Sequence, residues 1–340
     1  MSTPALPPGG ARRIPSWPAL LYGILIAGAG FTLFFLAVLA RFVGLLADPH
    51  GRSVGVVREL VWYAGMPVVS GFLLILFDLF VLLPRKRTRL TVQWDPPPNQ
   101  ELTVVLTAYN DESSIGPAVE DFRKHPRVKR VIVVDNNSSD HTSEAARNAG
   151  AAVVLEPRQG YGHCVFRALQ YGAASADTGL TLLSEGDMTF RAYDIDKFLA
   201  YAPHADIVNG TRIAEQLRDM RTQLTTFMFY GNFFAGKLLE AKHIGKGTLT
   251  DVGTTYKLCR NSALRDLLPV LDRTINLEFN AHFLDQALTY GFSVVECPVT
   301  FHARVGASKG GNLSNLRALR VGLRMIFGIV FSWRPLSCPT

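Results

Sequence analysis

The spacing of apolar positions along the 340 residues changes character twice. From Trp17 to Ala40 the chain runs WPALLYGILIAGAGFTLFFLAVLA without a charge. From Leu60 to Leu83 it runs LVWYAGMPVVSGFLLILFDLFVLL, broken only by Asp78. About 20 consecutive apolar residues span the hydrocarbon of a bilayer as a helix, so both runs predict transmembrane helices, over 17–40 and 60–83. Trp17, Tyr22, Trp62 and Tyr63 stand near the segment ends, where interfacial aromatics gather. The first run is too long for a signal-peptide core and lacks a small-residue cleavage site. A buried core helix is the competing reading of the second. Asp78 is expensive in lipid and is expected to face the partner helix or the interface.

From residue 102 the apolar runs shorten and alternate with helical patterns. Leu102–Thr107, Val131–Val134, Ala152–Leu155 and Leu180–Leu183 read as buried strands. Residues 113–125 and the stretch TSEAARNAG read as helices, the second capped by Ser139 or Asp140 and closed by Gly150. A further helix follows the loop Arg158-Gln159-Gly160-Tyr161-Gly162. This alternation predicts a doubly wound, mostly parallel α/β sheet. In such sheets ligands bind at the carboxyl ends of the strands, where the polar clusters YNDE, DNNSSD and SEGD all fall. Neither G-x-G-x-x-G nor G-x-x-x-x-G-K-[ST] is present, which excludes a dinucleotide fingerprint and a Walker loop.

Charge then places the parts. The chain is 19% charged with mean hydropathy +0.16, against roughly 25% charged for an average chain, which excludes a disordered protein. The net charge is +7. Residues 1–100 hold nine basic and four acidic groups, residues 301–340 hold six and none, and residues 101–300 hold 20 and 24. The basic excess therefore belongs to the flanks and the C-terminal segment and is no nucleic-acid footprint. Arg12, Arg13, Arg85, Lys86, Arg87 and Arg89 outside the two runs outnumber Arg41, Arg52 and Arg58 between them, which puts both flanks and everything after residue 84 in the cytosol. Pro96-Pro97-Pro98 stiffens the linker. The expected organisation is a tail over 1–16, the two spans, a linker over 84–100, a catalytic domain over 101–312 and an amphipathic helix over 313–333. Four cysteines at 164, 259, 297 and 338 without a C-x-x-C pair exclude a disulfide scaffold and a zinc ribbon and fit a reducing compartment.

Candidate chemistry sits at the strand ends. Glu185 and Asp187 are one residue apart after a buried strand, so their side chains point the same way. Two adjacent carboxylates repel unless a cation lies between them, and hard oxygen ligands in an open loop suit Mg²⁺ or Mn²⁺. Asp135 either accepts protons from a uracil or guanine edge or caps its own loop.

The order LTVVLTAYNDE, VIVVDNNSSDHT, LLSEGDMTF, DIVNGTR, DVGTTYK, LEFNAHFLDQALTYGFSVVECPV and FHARVGASK resembles an inverting family 2 glycosyltransferase with the Rossmann-like GT-A fold. It is most similar to the polyprenyl-phosphate (dolichyl-phosphate) mannose and glucose synthases, over roughly 102–310. The resemblance implies that Ala108, Tyr109, Asp111, Asp135, Arg158, Gly186, Arg212 and Ser308 meet the donor. It implies that Glu185, Asp187 and Thr189 hold the metal and that Glu278 opens the acceptor side. Asp187, Asp251, Arg304 and Lys309 carry catalysis, the last two on an R-x-x-G-x-S-K loop that closes over the phosphates. Thr107, Asp111, Asn136, Glu185 and Thr189 depart from the family's usual Pro, Glu, Asp, Asp and Gln.

The implied reaction moves a single hexose from a UDP- or GDP-sugar to a polyprenyl monophosphate, which needs no general base because its second pKa is about 6. Arg304 and Lys309 would meet the departing anion beside the metal. Asp251 would serve as a base for a hydroxyl acceptor or position the acceptor phosphate. No Q-x-x-R-W motif is present, which speaks against processive polysaccharide synthesis. In 313–333, Arg317, Arg320 and Arg324 share one helical face and Leu316, Leu319, Leu323, Ile326, Phe327 and Val330 another, the pattern of a helix lying in the membrane interface. A helix packed on the domain's own core is the other reading. The expected partners are a nucleotide sugar, a polyprenyl phosphate and the bilayer, with a homo-oligomer left open. The membrane is the plasma membrane in a prokaryote and the endoplasmic reticulum in a eukaryote. Two further functions compete: transfer to a hydroxyl-bearing lipid such as diacylglycerol, and a catalytically dead nucleotide-binding scaffold.

Overall fold

The computed structural model describes residues 17–47, 54–86, 92–219, 222–306 and 315–333. Ser308, Lys309, the 1–16 tail and part of the linker lie outside the described residues. Contacts divide the chain into two units, one of residues 14–90 with 241–245 and the other of the remainder.

In the smaller unit, α1 covers Ala19–Ala47. α2 (Val54–Tyr63), α3 (Gly65–Phe77), a π-helical turn at Asp78–Leu82 and α4 (Leu83–Lys86) follow one another almost without a break. The segments Ala19–Gly44 and Val57–Lys86 are 26 and 30 residues long and apolar enough to cross a membrane. Large apolar side chains such as Trp62, Phe80, Phe35 and Met66 point outward along both. Where α1 meets α3 the backbones nearly touch. A Cβ on Gly23 would lie 2.7 Å from the Gly71 carbonyl oxygen, and one on Gly71 would lie 2.5 Å from that of Gly23. Small residues at such a crossing let dispersion act over the whole contact. Asp78 is fully buried and turns inward. It accepts the Leu20 N–H at the start of α1 at 2.6 Å and two contacts from Lys86 Nζ at 2.6 and 2.9 Å. Lys86 also donates to the Trp17 carbonyl at 3.1 Å. The pattern of charges had placed Lys86 among the exposed flank cations; it is buried because Asp78 lies two helical turns before it on the same face.

In the larger unit, seven strands form one sheet among the described residues: β1 (Leu102–Ala108), β2 (Val128–Asp135), β3 (Ala152–Leu155), β4 (Leu180–Glu185), β5 (Ile207–Thr211), β6 (Lys257–Arg260) and β7 (Val294–Pro298). Their spatial order is β3-β2-β1-β4-β6-β5-β7. β6 runs antiparallel to β4 and β5, and every other pairing is parallel. All seven residues of β1 are buried, as befits a parallel strand covered on both faces. The helices α5 (Glu112–Arg123), α6 (Thr142–Asn148), α7 (Tyr161–Ala173), α8 (Ile195–Tyr201), α9 (Thr226–Lys242), α10 (Asn261–Leu267), α11 (Phe279–Thr289) and α12 (Asn315–Phe331) complete the fold. α6 starts where Asp140 Oδ1 accepts the Thr142 N–H at 3.0 Å, and Gly150 ends its turn at φ +89°. α12 buries Met325, Ile329 and Val330 and leaves Leu316, Leu319, Leu323, Phe327 and Phe331 exposed. Beyond it Trp333 donates its indole N–H to Asp285 on α11 at 2.6 Å.

The register aligns the site. Ala108 pairs with Asp135 and Thr107 with Glu185, so the polar segments after β1, β2 and β4 emerge at one edge. Each holds a non-glycine residue in the left-handed region: Asn110 at φ 52°, Asn137 at φ 61° and Met188 at φ 67°. Such conformations cost of order 1–3 kcal/mol each and persist where the surroundings over-determine them. Because β6 runs against its neighbours, the segment 251–257 leading into it reaches the same edge.

Candidate active site

These strand ends open on a cavity of about 680 Å³. Ala108, Tyr109, Asp111, Glu185, Asp187, Thr189, Arg212 and Arg304 line it, together with Tyr161, Thr255, Asn280 and residues of α9 and α12. Phe227, Met228, Gly231, Asn232 and Phe234 of α9 form a wall of the cavity that no motif in the sequence marks. Its signal was a run of aromatics without a charge from Thr225 to Ala235.

Glu185 and Asp187 stand side by side at the end of β4. The left-handed turn at Met188 folds Thr189 back, and Asp187 Oδ1 accepts both its N–H at 3.1 Å and its hydroxyl at 2.5 Å. Thr189 thereby orients Asp187. Asp187 Oδ2 is buried and meets the Arg304 guanidinium in an ion pair. Arg304 also donates to Glu185 Oε2 at 3.3 Å. The segment carrying it is tied to the turn, with His302 N–H donating to the Thr189 carbonyl at 2.9 Å and Val305 N–H to that of Asp187 at 3.0 Å. Burial and the adjacent Asp187 push the Glu185 carboxyl up to about 7. Two adjacent carboxylates, the Glu185 carboxyl pushed up by burial and by its neighbour, are a setting a divalent cation fits. Among the described residues no group of three or more His, Cys, Asp or Glu gathers to hold a metal. Two carboxylates therefore suit an ion whose other ligands are phosphate oxygens and water, as Mg²⁺ prefers.

Arg212, after β5, grips Asp251 with Nε at 2.7 Å and Nη2 at 2.8 Å, while its backbone N–H adds a third bond at 3.1 Å. Burial alone would raise Asp251, but the Arg212 guanidinium outweighs it and holds the carboxyl below its ordinary range. The Phe301 ring lies 5.2 Å under the guanidinium. Asp251 itself does not line the cavity; Arg212 does.

Other expected donor residues stand apart from the cavity. Asp135 is spent on its own loop, accepting the Ser138 N–H at 3.0 Å and the hydroxyls of Ser138 and Ser143. This is the capping arrangement, although its neighbour Asn136 reaches the cavity. Arg158 is exposed, and its carbonyl accepts from Asn136 Nδ2 at 2.8 Å. Gly186 sits between the two carboxylates, its N–H donating to the Thr107 carbonyl at 2.9 Å. Glu278, at the start of α11, is buried, raised by that burial, and 3.7 Å from Arg324 of α12. Arg317, Arg320 and Arg324 line the cavity from α12.

Tyr161 and its partners escaped the sequence reading. Gly160 at φ +144° turns the chain into α7. Gly162 then permits close approach, since a Cβ there would stand 1.7 Å from the Ile275 carbonyl oxygen. Tyr161 is thereby set beside Thr255 and Asn280.

Comparison with known proteins gives the family and the fold. Residues 103–268 match the family described as Glycosyl transferase family 2. The dolichyl-phosphate hexose transferase of Haloferax volcanii is 28% identical over 210 residues, covering 62% of this chain and 86% of that protein. An uncharacterized glycosyltransferase of Mycobacterium tuberculosis is 32% identical over 206 residues, 60% of this chain and 87% of that one. Among solved structures, glucosyl-3-phosphoglycerate synthase of Mycobacterium tuberculosis, crystallised with Mn²⁺, uridine diphosphate and glucosyl-3-phosphoglycerate, superposes with a TM-score of 0.50. The identity is 16%, over 69% of this chain and 82% of that one, a likeness of fold.

Proposed function

The chain belongs to glycosyltransferase family 2, and from that premise we propose that it transfers one hexose, with inversion, from a nucleotide-diphosphate sugar to a polyprenyl monophosphate at the cytosolic face of a membrane. The observation that carries this reading is the composition of one cavity. It combines the Glu185–Asp187 pair with Arg212, Arg304, Arg317, Arg320 and Arg324, groups suited to phosphorylated substrates. The dolichyl-phosphate hexose transferase relative points to the same acceptor class. The two long apolar helices and the outward row Leu316, Leu319, Leu323, Phe327 and Phe331 on α12 suit a lipid-borne substrate.

A divalent cation on Glu185 and Asp187, Mg²⁺ or Mn²⁺, would supply Lewis-acid neutralisation of the diphosphate. The chain's own groups do the rest. An acceptor phosphate oxygen forms a bond to the anomeric carbon of the donor from the face opposite the leaving diphosphate. The bond from that carbon to the diphosphate oxygen breaks, and its electron pair leaves with the nucleoside diphosphate. A single displacement inverts the centre. No proton moves, since the phosphate arrives ionised. Arg304 is placed to meet charge growing on the leaving diphosphate. Arg212, locked by Asp251, presents its remaining N–H to the cavity, so Asp251 acts as a positioning residue. Asp111 and Tyr109 hold the nucleotide side, with Ser308 and Lys309 closing over the phosphates.

The test is incubation of the full chain in lipid with labelled UDP- and GDP-hexoses, Mg²⁺ or Mn²⁺, and either polyprenyl phosphate or diacylglycerol. Acid-labile labelled polyprenyl product, absent with Asp187→Ala, is the expected result. Label found only on diacylglycerol overturns the acceptor assignment.

A further inference from the structure

Glu185 stands where its family uses aspartate, and the extra methylene, about 1.5 Å of reach, gives its carboxylate more freedom. A long arm holds an ion in defined geometry only if something fixes it. The fixing group binds the carboxylate oxygen that Arg304 does not. Thr255, buried just before β6, donates its hydroxyl to Glu185 Oε1 at 2.8 Å. Its own oxygen lies 2.5 Å from the Tyr161 hydroxyl. Asn280 Nδ2, on α11, donates to the Tyr161 oxygen at 2.8 Å and to the Gly253 carbonyl at 3.2 Å. Behind it Lys257 Nζ, on β6, contacts Asn280 Oδ1 at 3.2 Å and the Thr254 carbonyl.

Donor and acceptor capacities give this series one direction. Lys257 only donates, so it takes the amide oxygen of Asn280. The Gly253 carbonyl only accepts, which independently turns the Asn280 NH₂ towards Tyr161. With Glu185 ionised, the single hydroxyl proton of Thr255 goes to the carboxylate, leaving Thr255 to accept from Tyr161. The sequence is thus Lys257 to Asn280 to Tyr161 to Thr255 to Glu185, each member donating to the next. Aligned chains of this kind strengthen link by link in a low-dielectric interior. Lys257, Asn280 and Thr255 are almost fully buried, and Tyr161 is half-buried where it lines the cavity.

We infer that Thr255, Tyr161, Asn280 and Lys257 are positioning residues for Glu185, fixing the longer carboxylate as a metal-holding arm. This rests on the proposal that Glu185 and Asp187 hold a divalent cation. Partners one step beyond a ligand commonly change metal affinity by about 10–100-fold, which sets the scale expected here.

The probe is Mn²⁺ alone, titrated into the full-length protein in nanodiscs and read as loss of the free-ion electron paramagnetic resonance signal. Thr255→Val and Tyr161→Phe each weaken Mn²⁺ binding about tenfold or more, and Thr255→Ser restores it. Lys257→Met acts in the same direction through the far end of the chain. Wild-type affinity in both Thr255→Val and Tyr161→Phe overturns the inference and leaves the metal site intact. Absence of saturable Mn²⁺ binding in the wild type, matched by Asp187→Asn, overturns both the metal site and the inference.

Discussion

Two buried ion pairs, Asp78–Lys86 and Asp251–Arg212, use the same chemistry to opposite ends. In the first, both members are closed off. Asp78 is 0% and Lys86 3% exposed, and their remaining capacity goes to the Leu20 N–H and the Trp17 carbonyl. Nothing is left over, so the pair fastens the end of one apolar helix to the start of another. In the second, Asp251 is equally buried, but Arg212 lines the cavity. Its backbone, Nε and Nη2 are fixed by one carboxylate, while the outer edge of the fork stays available. A pair whose capacity is exhausted is architecture. A pair that holds one partner's rear and leaves its front open is a tool.

This contrast can be broken by substitution. Lys86→Met leaves Asp78 as a buried, uncompensated charge, and breaking a buried pair in this way costs about 3–5 kcal/mol. The double change Asp78→Leu with Lys86→Met is close to neutral. Thermal unfolding in detergent measures both, and hexose transfer per folded molecule stays at the wild-type level. Asp251→Asn acts the other way. It keeps an acceptor for the guanidinium and hence the fold, but it removes the charge that locks Arg212. Transfer then falls about 10²-fold, a loss of about 2.7 kcal/mol in transition-state stabilisation, measured as kcat/KM for the lipid phosphate. A loss of folded protein comparable with that of Lys86→Met would erase the distinction between the two pairs.

The smallest effect concerns pH. Burial and Asp187 raise Glu185 from its ordinary 4.5 to about 7, so the folded chain binds this proton more tightly than the unfolded one. Metal-free stability therefore falls as pH rises between about 4.5 and 7. A cation needs the ionised form, so Mn²⁺ affinity drops by up to tenfold per pH unit below about 7 and is flat above it. Titrations at several pH values check the slope. A pH-independent affinity between 5.5 and 8 contradicts it.

The half of the sheet from β3 to β4 was legible in the sequence because each strand is a short apolar run ended by polar residues, and one edge collects those endings. The Glu185–Asp187 pair was legible because its members are neighbours along one strand end. The other half was not. β6 is four residues long and antiparallel, and its pairing with β4 obeys no local pattern. The series from Lys257 to Glu185 joins residues as far apart as Tyr161 and Asn280, and Arg304 meets Asp187 across more than a hundred positions. Lys86 misled because a charge at the end of an apolar run reads as solvated until its partner is seen.

The antiparallel insertion of β6 has a consequence for how the protein is made. Among the described residues β5 pairs with β6 and β7 alone, both of which follow it in the chain. When Thr211 leaves the ribosome, the strand it ends has no partner, and 45 residues separate it from Lys257. At about 5–20 residues per second β5 waits several seconds for β6 to be synthesised, whereas β1, β2, β3 and β4 can already pair. The site therefore matures from one side: the two carboxylates are in place first, and the arginine and threonine that discipline them arrive with the last third of the chain.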